Sequence, residues 1–225
     1  MIVDNRTGAA GIIATEIAAK ATPDGYTLYL GSASTLAVNP AVYQRLPYDV
    51  LKDFELITLV AKGVHILVIN PNVNANSVRD LIALAKKQPG KLTFASSGTG
   101  GVVHLAGEQF RIVAGIEMTH VPFKGGGPAA VALLAGEVDT MVNDLAPVLT
   151  HMKAGRLKAL AVASPQRSAL IPDIMTFAEA GLPGVESASW AGLVAPLGTP
   201  KPVIARLSGD LAKLLASAQI GRAHV

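Results

Sequence analysis

Short apolar runs alternate along this chain with longer stretches in which apolar residues recur at three- and four-residue spacing, the pattern of strands interleaved with helices. Tyr26–Leu30 reads as a strand after a helical pattern over Gly11–Ala21, across the turn TPDGY, whose Asp24-Gly25 pair favours a reversal. Leu56–Ala61 and His65–Ile69 read as two further strands. Ser77 is placed to cap a helix running to Lys87, with Asp80 as the reciprocal acceptor. Leu92–Ala95, Met118–Val121, Val138–Val142 and Lys158–Val162 read as short buried strands, with helical patterns at Val102–Ala114, Pro128–Ala135 and Ala146–Ala154. Ser189–Ala195 reads as a strand and Val203–Leu215 as a closing helix. This rhythm predicts an α/β fold of βαβ units, with a parallel sheet covered on both faces.

Composition narrows the function classes. Half the residues are hydrophobic and 16% are charged, enough apolar surface to drive folding. The longest apolar stretch, Leu56 to Asn70, is broken by Lys62, Gly63 and His65, short of the roughly 18 residues of a membrane helix. The net charge of +3 comes from scattered Lys and Arg, with few aromatics, so no nucleic-acid partner is expected. The absence of cysteine excludes thiol chemistry. Histidines stand at 65, 104, 120, 151 and 224 without H-x-x-x-H or H-E-x-x-H spacing, so no metal site and no cofactor are expected.

The candidate chemistry lies in small-residue turns. In FASSGTGGVVHLAGEQF, Phe94 to Phe110, a dinucleotide fingerprint counted from Gly98 needs glycine where Val103 stands, and no lysine follows to make a phosphate loop. The run Ser96–Gly101 ahead of a helix is either a tight turn or a cradle whose N–H groups hold an anion such as a carboxylate. His104 is either a packed or capping imidazole or a base. Ser97 and Asp144 supply residue types for catalysis, but no G-x-S-x-G elbow supports it. Comparable turns are GSASTLAVNP (Gly31–Pro40), VPFKGGGPAA (Val121–Ala130) and VNDLAPV, which puts Asn143 and Asp144 just past a strand. Lys124 is a ligand contact or a solvated side chain; Asp144 is a contact or a helix N-cap. Polar βα turns at strand ends, with no acid–base set among them, read as a binding cleft.

The segments VDNRTGAAGIIATEIAAKATPDGYTLYLGSASTLAVNPAVY, LPYDVLKDFELITLVA, SSGTGGVVHLAGE, HVPFKGGGPAAVALLAGEVDTMVNDL, MKAGRLKALAVAS, AEAGLPG and APLGTPKPV resemble the Bug-type periplasmic solute-binding receptors of tripartite tricarboxylate transporters, from Val3 to about Ser217. The resemblance implies a two-lobe type II periplasmic-binding-protein fold with a hinge, lobe one being 1–64 plus 193–219 and lobe two 65–192. It implies a receptor, not an enzyme, that closes on a small carboxylated solute and delivers it to the transporter's membrane components. The solute would be a di- or tricarboxylate, an acidic amino acid or an aromatic acid. The location would be the periplasm and the state a monomer. A sensing subunit for a signalling partner and a small α/β hydrolase using Ser97 and His104 are the alternatives.

By the same resemblance the ligand-binding positions are Ser32, Ser34 and Thr35 in lobe one. In lobe two they are Ser97, Gly98, Thr99, Gly100, Gly101, His104, Lys124, Gly125, Asn143 and Asp144. Gly101 replaces the family's usual Ser or Thr, and the order Asn143-Asp144 departs from its aspartate-then-asparagine. The family's first strand and glycine-rich loop have no counterpart in these residues, so a destabilised fragment that binds poorly is expected. The ending IGRAHV, Ile220–Val225, breaks the helical pattern and matches one reading frame of a sequencing adapter, which predicts a non-native tail.

Overall fold

The computed structural model describes residues 2–6 and 8–217. Ile220–Val225, expected to be a non-native tail, lie outside the described residues. In chain order come α1 (Ile12–Ala19), β1 (Tyr29–Ser32), a π-helical turn Ser34–Val38, and the single-turn helices α2 (Asn39–Val42) and α3 (Val50–Asp53). There follow β2 (Phe54–Ile69), α4 (Val78–Lys87), β3 (Thr93–Ser96), α5 (Val102–Ala114), β4 (Thr119–Pro122) and α6 (Gly126–Ala135). Then come β5 (Thr140–Asp144), α7 (Leu145–Lys153), β6 (Lys158–Val162), β7 (Ala188–Pro196) and α8 (Lys201–Leu215). The chain divides into two compact units, one from the described residues of Met1–Lys62 and Trp190–Val225, the other Gly63–Ser189.

In the second unit the strand order is β6-β2-β5-β3-β4. β3 runs parallel to β4 and to β5, whereas β2 is antiparallel to both β5 and β6. The sheet is therefore mixed, not the parallel sheet expected. The α-helical crossovers α5 and α6 keep β3, β4 and β5 parallel, so their carboxyl ends share one edge. Leu67, Ile69, Phe94 and Val142 point to one face, against Leu81, Phe110 and Phe177. Ile66, Val68, Ala95 and Met141 point to the other, against Ala129, Leu133 and Val148. Burial on both faces is why these strands read as continuous apolar runs. Gly107 of α5 allows a close approach: a Cβ there would sit 2.6 Å from the Phe94 ring.

The two strands expected at Leu56–Ala61 and His65–Ile69 are one, β2, which carries residues of both units. Lys62 and Gly63 interrupt the hydrophobic pattern but not the strand. Glycine is needed at 63, where a Cβ would lie 2.1 Å from Ser189 Oγ and 2.9 Å from Asp144 Oδ1. Ser77 caps α4 as expected, accepting from the Asp80 N–H at 3.1 Å, while Asp80 accepts from Asn76 N–H.

The first unit has the smaller core. Tyr29 of β1 pairs antiparallel with Val194 of β7, and Ser32 with Ala191. Ala18, Tyr48, Phe54 and Val194 form its buried cluster, with Tyr29, Leu36 and Leu46 packed around them. The turn expected after β1 is the π-helical segment Ser34–Val38 continuing into α2. The strand read at Tyr26–Leu30 begins at Tyr29 and runs to Ser32.

Candidate functional site

β3 and β4 each end in a polar or glycine-rich turn that opens a helix, and β5 runs directly into one. After β3, Gly98 and Gly100 adopt positive φ of 135° and 81°, conformations that admit glycine without strain. Ser96 Oγ accepts from the Gly98 N–H at 3.2 Å, and the Gly100 N–H donates to His104 Nδ1 at 3.2 Å. Ser97 is half-buried and Thr99 exposed, while Gly101 caps α5 with no side-chain acceptor. After β4, Lys124 is exposed and Gly125, at φ 112°, caps α6, again without a side chain. The Gly125 N–H donates to Ser97 O at 3.2 Å, which ties this turn to the one after β3.

After β5, Asn143 and Asp144 are the last strand residues rather than turn residues. Asn143 is buried; its Oδ1 accepts from the Asp144 N–H at 2.9 Å, and its Nδ2 has no hydrogen-bond partner among the described residues. The Asn143 amide lies beside Gly126, where a Cβ would come 3.3 Å from Oδ1. Asp144 stands at the N-cap of α7 but makes no side-chain capping bond. Its carboxylate instead accepts from Ser189 Oγ and lies 3.4 Å from His65 Nε2, within ion-pair range but not aligned as a hydrogen bond. Burial pushes the Asp144 carboxyl up, but His65 and the Ser189 hydroxyl outweigh it and hold the group below the usual carboxylate range. His65, fully buried, also meets Ser187 Oγ through Nδ1 at 2.9 Å.

In the first unit, Ser32 and Thr35 are tied to each other. The Ser32 N–H donates to Thr35 Oγ1 at 3.0 Å, and Thr35 Oγ1 donates to Ser32 O at 3.2 Å. Thr35 is buried and serves the turn's shape; Ser32 and Ser34 are half-buried. A concavity of about 730 Å³ lies elsewhere in this unit, lined by Leu36, Tyr43, Leu46, Tyr48 and Leu51, and holds none of the predicted residues.

Sequence reasoning singled out His104 but missed its neighbours. His120 Nε2 lies 2.6 Å from Ser96 Oγ, and the His104 and His120 ring centroids are 4.1 Å apart. Burial, then the nearby His104, push the His120 imidazole down. His104 Nδ1 is committed to Gly100 and its Nε2 lies 3.9 Å from Glu108 Oε1, so neither nitrogen is directed at Ser97 as a base would need. The described residues contain no group of three His, Asp or Glu able to hold a metal ion, and no helix long and apolar enough to cross a membrane.

A two-unit α/β fold with glycine-rich turns at the carboxyl ends of parallel strands defines a class, the periplasmic binding proteins, and solved members share this fold. The model of the tripartite tricarboxylate transporter family receptor matches residues 1–221, and the chain belongs to that family. Protein BugT of Bordetella pertussis is 38% identical over 218 residues, covering 96% of this chain and 67% of BugT. The structure of Rpa4515 of R. palustris with adipate superposes with a TM-score of 0.94 at 35% identity, over 97% of this chain and 73% of that one. MatC from Rhodopseudomonas palustris, with bound malate, gives 0.88 at 31% identity, over 95% and 72%. The chain spans about two thirds of the length of the curated relatives it matches.

Proposed function

We propose that the chain acts as a solute-binding receptor in the periplasm, holding a small carboxylated solute for the membrane components of a transporter, and that it is not an enzyme. The observation that carries this reading is the edge of the second unit. There α5, α6 and α7 begin at the carboxyl ends of β3, β4 and β5, none with an N-cap side-chain bond. The positive helix ends favour a carboxylate. The buried, unpartnered Nδ2 of Asn143 adds a donor at the start of α6, and exposed Lys124 adds a positive charge. Family membership, and relatives solved with adipate and with malate, support the same solute class.

On this reading the solute lies against the turns 97–101 and 125–127, which are held in shape by the internal bonds of the Gly98, Gly100 and Gly125 N–H groups, with Lys124 and Asn143 alongside. Asp144 is ionised and already engaged by Ser189, so its role is to hold strands rather than to meet an anion. Ser32 and Thr35, tied to each other, shape a turn of the first unit.

A thermal-shift screen of adipate, malate, citrate, glutamate and benzoate tests the reading. A solute at about 100 times its Kd adds roughly 2.7 kcal/mol, an upward shift of about 5–11 °C for a chain of this size. A shift confined to one acid class supports the receptor and names its cargo. A folded protein that no acid shifts overturns the carboxylate reading.

A further inference from the structure

We propose that His104 and His120 are positioning residues for the 97–101 loop, and that the loop keeps its shape only while His104 Nδ1 is unprotonated. The inference rests on the carboxylate reading for its consequence, but on the geometry of this loop for its substance.

The argument starts at one bond. Gly100 has positive φ, so its N–H points away from the path an ordinary extended residue would give it, and His104 Nδ1 receives it at 3.2 Å. A ring nitrogen that accepts an N–H bond carries no proton. The other nitrogen then holds the ring's proton on the Glu108 side, at 3.9 Å. His120 supports the opposite flank of the loop through Ser96 Oγ, which also accepts from the Gly98 N–H. The two imidazoles lean on each other, and Phe94 lies against His120 at 4.9 Å between ring centroids. Gly98 and Gly100, the two left-handed glycines of the loop, are thus each fixed by a side chain that connects to this ring stack.

Protonation of His104 turns Nδ1 from acceptor to donor, so it faces the Gly100 N–H donor to donor. It also places a positive charge against His120. The titratable and charged groups around the pair are Glu108 and, bound to it, Arg111 on α5; β3 contributes Phe94 and Ser96, which do not titrate. Glu108 cannot supply an acceptor for the Gly100 N–H in place of Nδ1. The loop loses its form as protons bind, and a carboxylate site lined by it weakens with it.

The test compares wild type with His104→Asn, whose side-chain oxygen accepts near the place of Nδ1 without titrating, and with His104→Leu, which cannot accept. Amide exchange at Gly100, corrected for intrinsic rates, is followed by NMR from about pH 8 to about pH 5 without ligand, and adipate affinity is measured over the same range. Wild type is expected to protect Gly100 at the high end and to lose that protection as the pH falls. His104→Asn is expected to hold protection across the range, and His104→Leu to lack it throughout. Adipate is expected to bind roughly three- to tenfold more weakly to His104→Leu than to His104→Asn at the high end. Because both are measured with the same acid, protonation of adipate itself cancels. His120→Gln, which keeps a polar atom near Nε2, is expected to retain Gly98 protection that His120→Leu loses.

Gly100 protection indifferent to pH in wild type, or equal in folded His104→Asn and His104→Leu, overturns the proposal. Protection that follows His104 while adipate and malate fail to bind supports the positioning role and counts instead against the dicarboxylate reading.

Discussion

The hydroxyl of Ser189 donates to the carboxylate of Asp144, joining the last residue of the second unit to the end of β5. Asp144 is also the register partner of His65 on β2, so one carboxylate holds the two strands that leave this unit. Ser189→Ala removes a donor from a carboxylate whose side chain is 38% exposed. With solvent to take up part of the loss, the expected destabilisation is about 1 kcal/mol, read from denaturant midpoints. No change in midpoint would mean that water replaces the hydroxyl fully.

Acid should act on the same group. The folded pKa of Asp144 is depressed, so its contribution is fully present above the unfolded value of about 3.9 and is lost as pH falls through the folded value. Between about pH 4 and about pH 2, wild type is expected to lose stability more steeply than Asp144→Asn. Parallel acid limbs for the two proteins would contradict this.

His120 works the same way at higher pH. Its folded pKa is also depressed, here for a base, so the stability linked to it is complete above the unfolded value of about 6.5 and drains as pH falls below that. Thermal scans of His120→Gln are expected to show a flatter dependence than wild type from about pH 6.5 downward. Equal slopes would place the acid sensitivity of this region elsewhere.

Two glycines in helices should respond to alanine with opposite signs. Gly107→Ala places a Cβ 2.6 Å from the Phe94 ring, in a packed core where the ring also stacks on His120. Overpacking of this kind costs about 1–3 kcal/mol, more than the gain in helix propensity returns. Gly209→Ala in α8 meets nothing within 4 Å and is expected to stabilise by about 0.5–1 kcal/mol. Chemical denaturation of the two variants beside wild type decides both.

Ser77→Ala deletes the acceptor for the Asp80 N–H at the start of α4. The expected loss is about 1 kcal/mol, recoverable in Ser77→Asp, which restores a capping oxygen. A Ser77→Asp variant no more stable than Ser77→Ala would show that the cap bond is not what matters there.

These residues also show what the sequence discloses and what it withholds. α5 at Val102–Ala114 and β6 at Lys158–Val162 stand where the apolar spacing put them, because both are governed by neighbours a few residues away. The Ser77 cap was readable for the same reason. The continuity of β2 was not: Lys62 and Gly63 look like a break, and only the proximity of Ser189 and Asp144 explains the glycine. The antiparallel placement of β2 in the second unit was equally hidden, since strand direction leaves no local mark. At the site, the small-residue turns were visible as composition, whereas the supports were not. Ser96 meets His120 across 24 positions and His65 meets Ser187 across 122, and nothing near any of the four signals its partner.

The pairing of β1 with β7 carries a consequence for how the chain comes into being. Tyr29 is made before the second unit, but its partner Val194 is made 165 residues later, after every residue of Gly63–Ser189. At about 5–20 residues per second, the interval is on the order of ten to thirty seconds. The second unit, continuous in sequence, is fully synthesised before that gap closes. The first unit must wait with its short strand unpaired, so the pairing of β1 is completed last although β1 is made before any residue of the second unit.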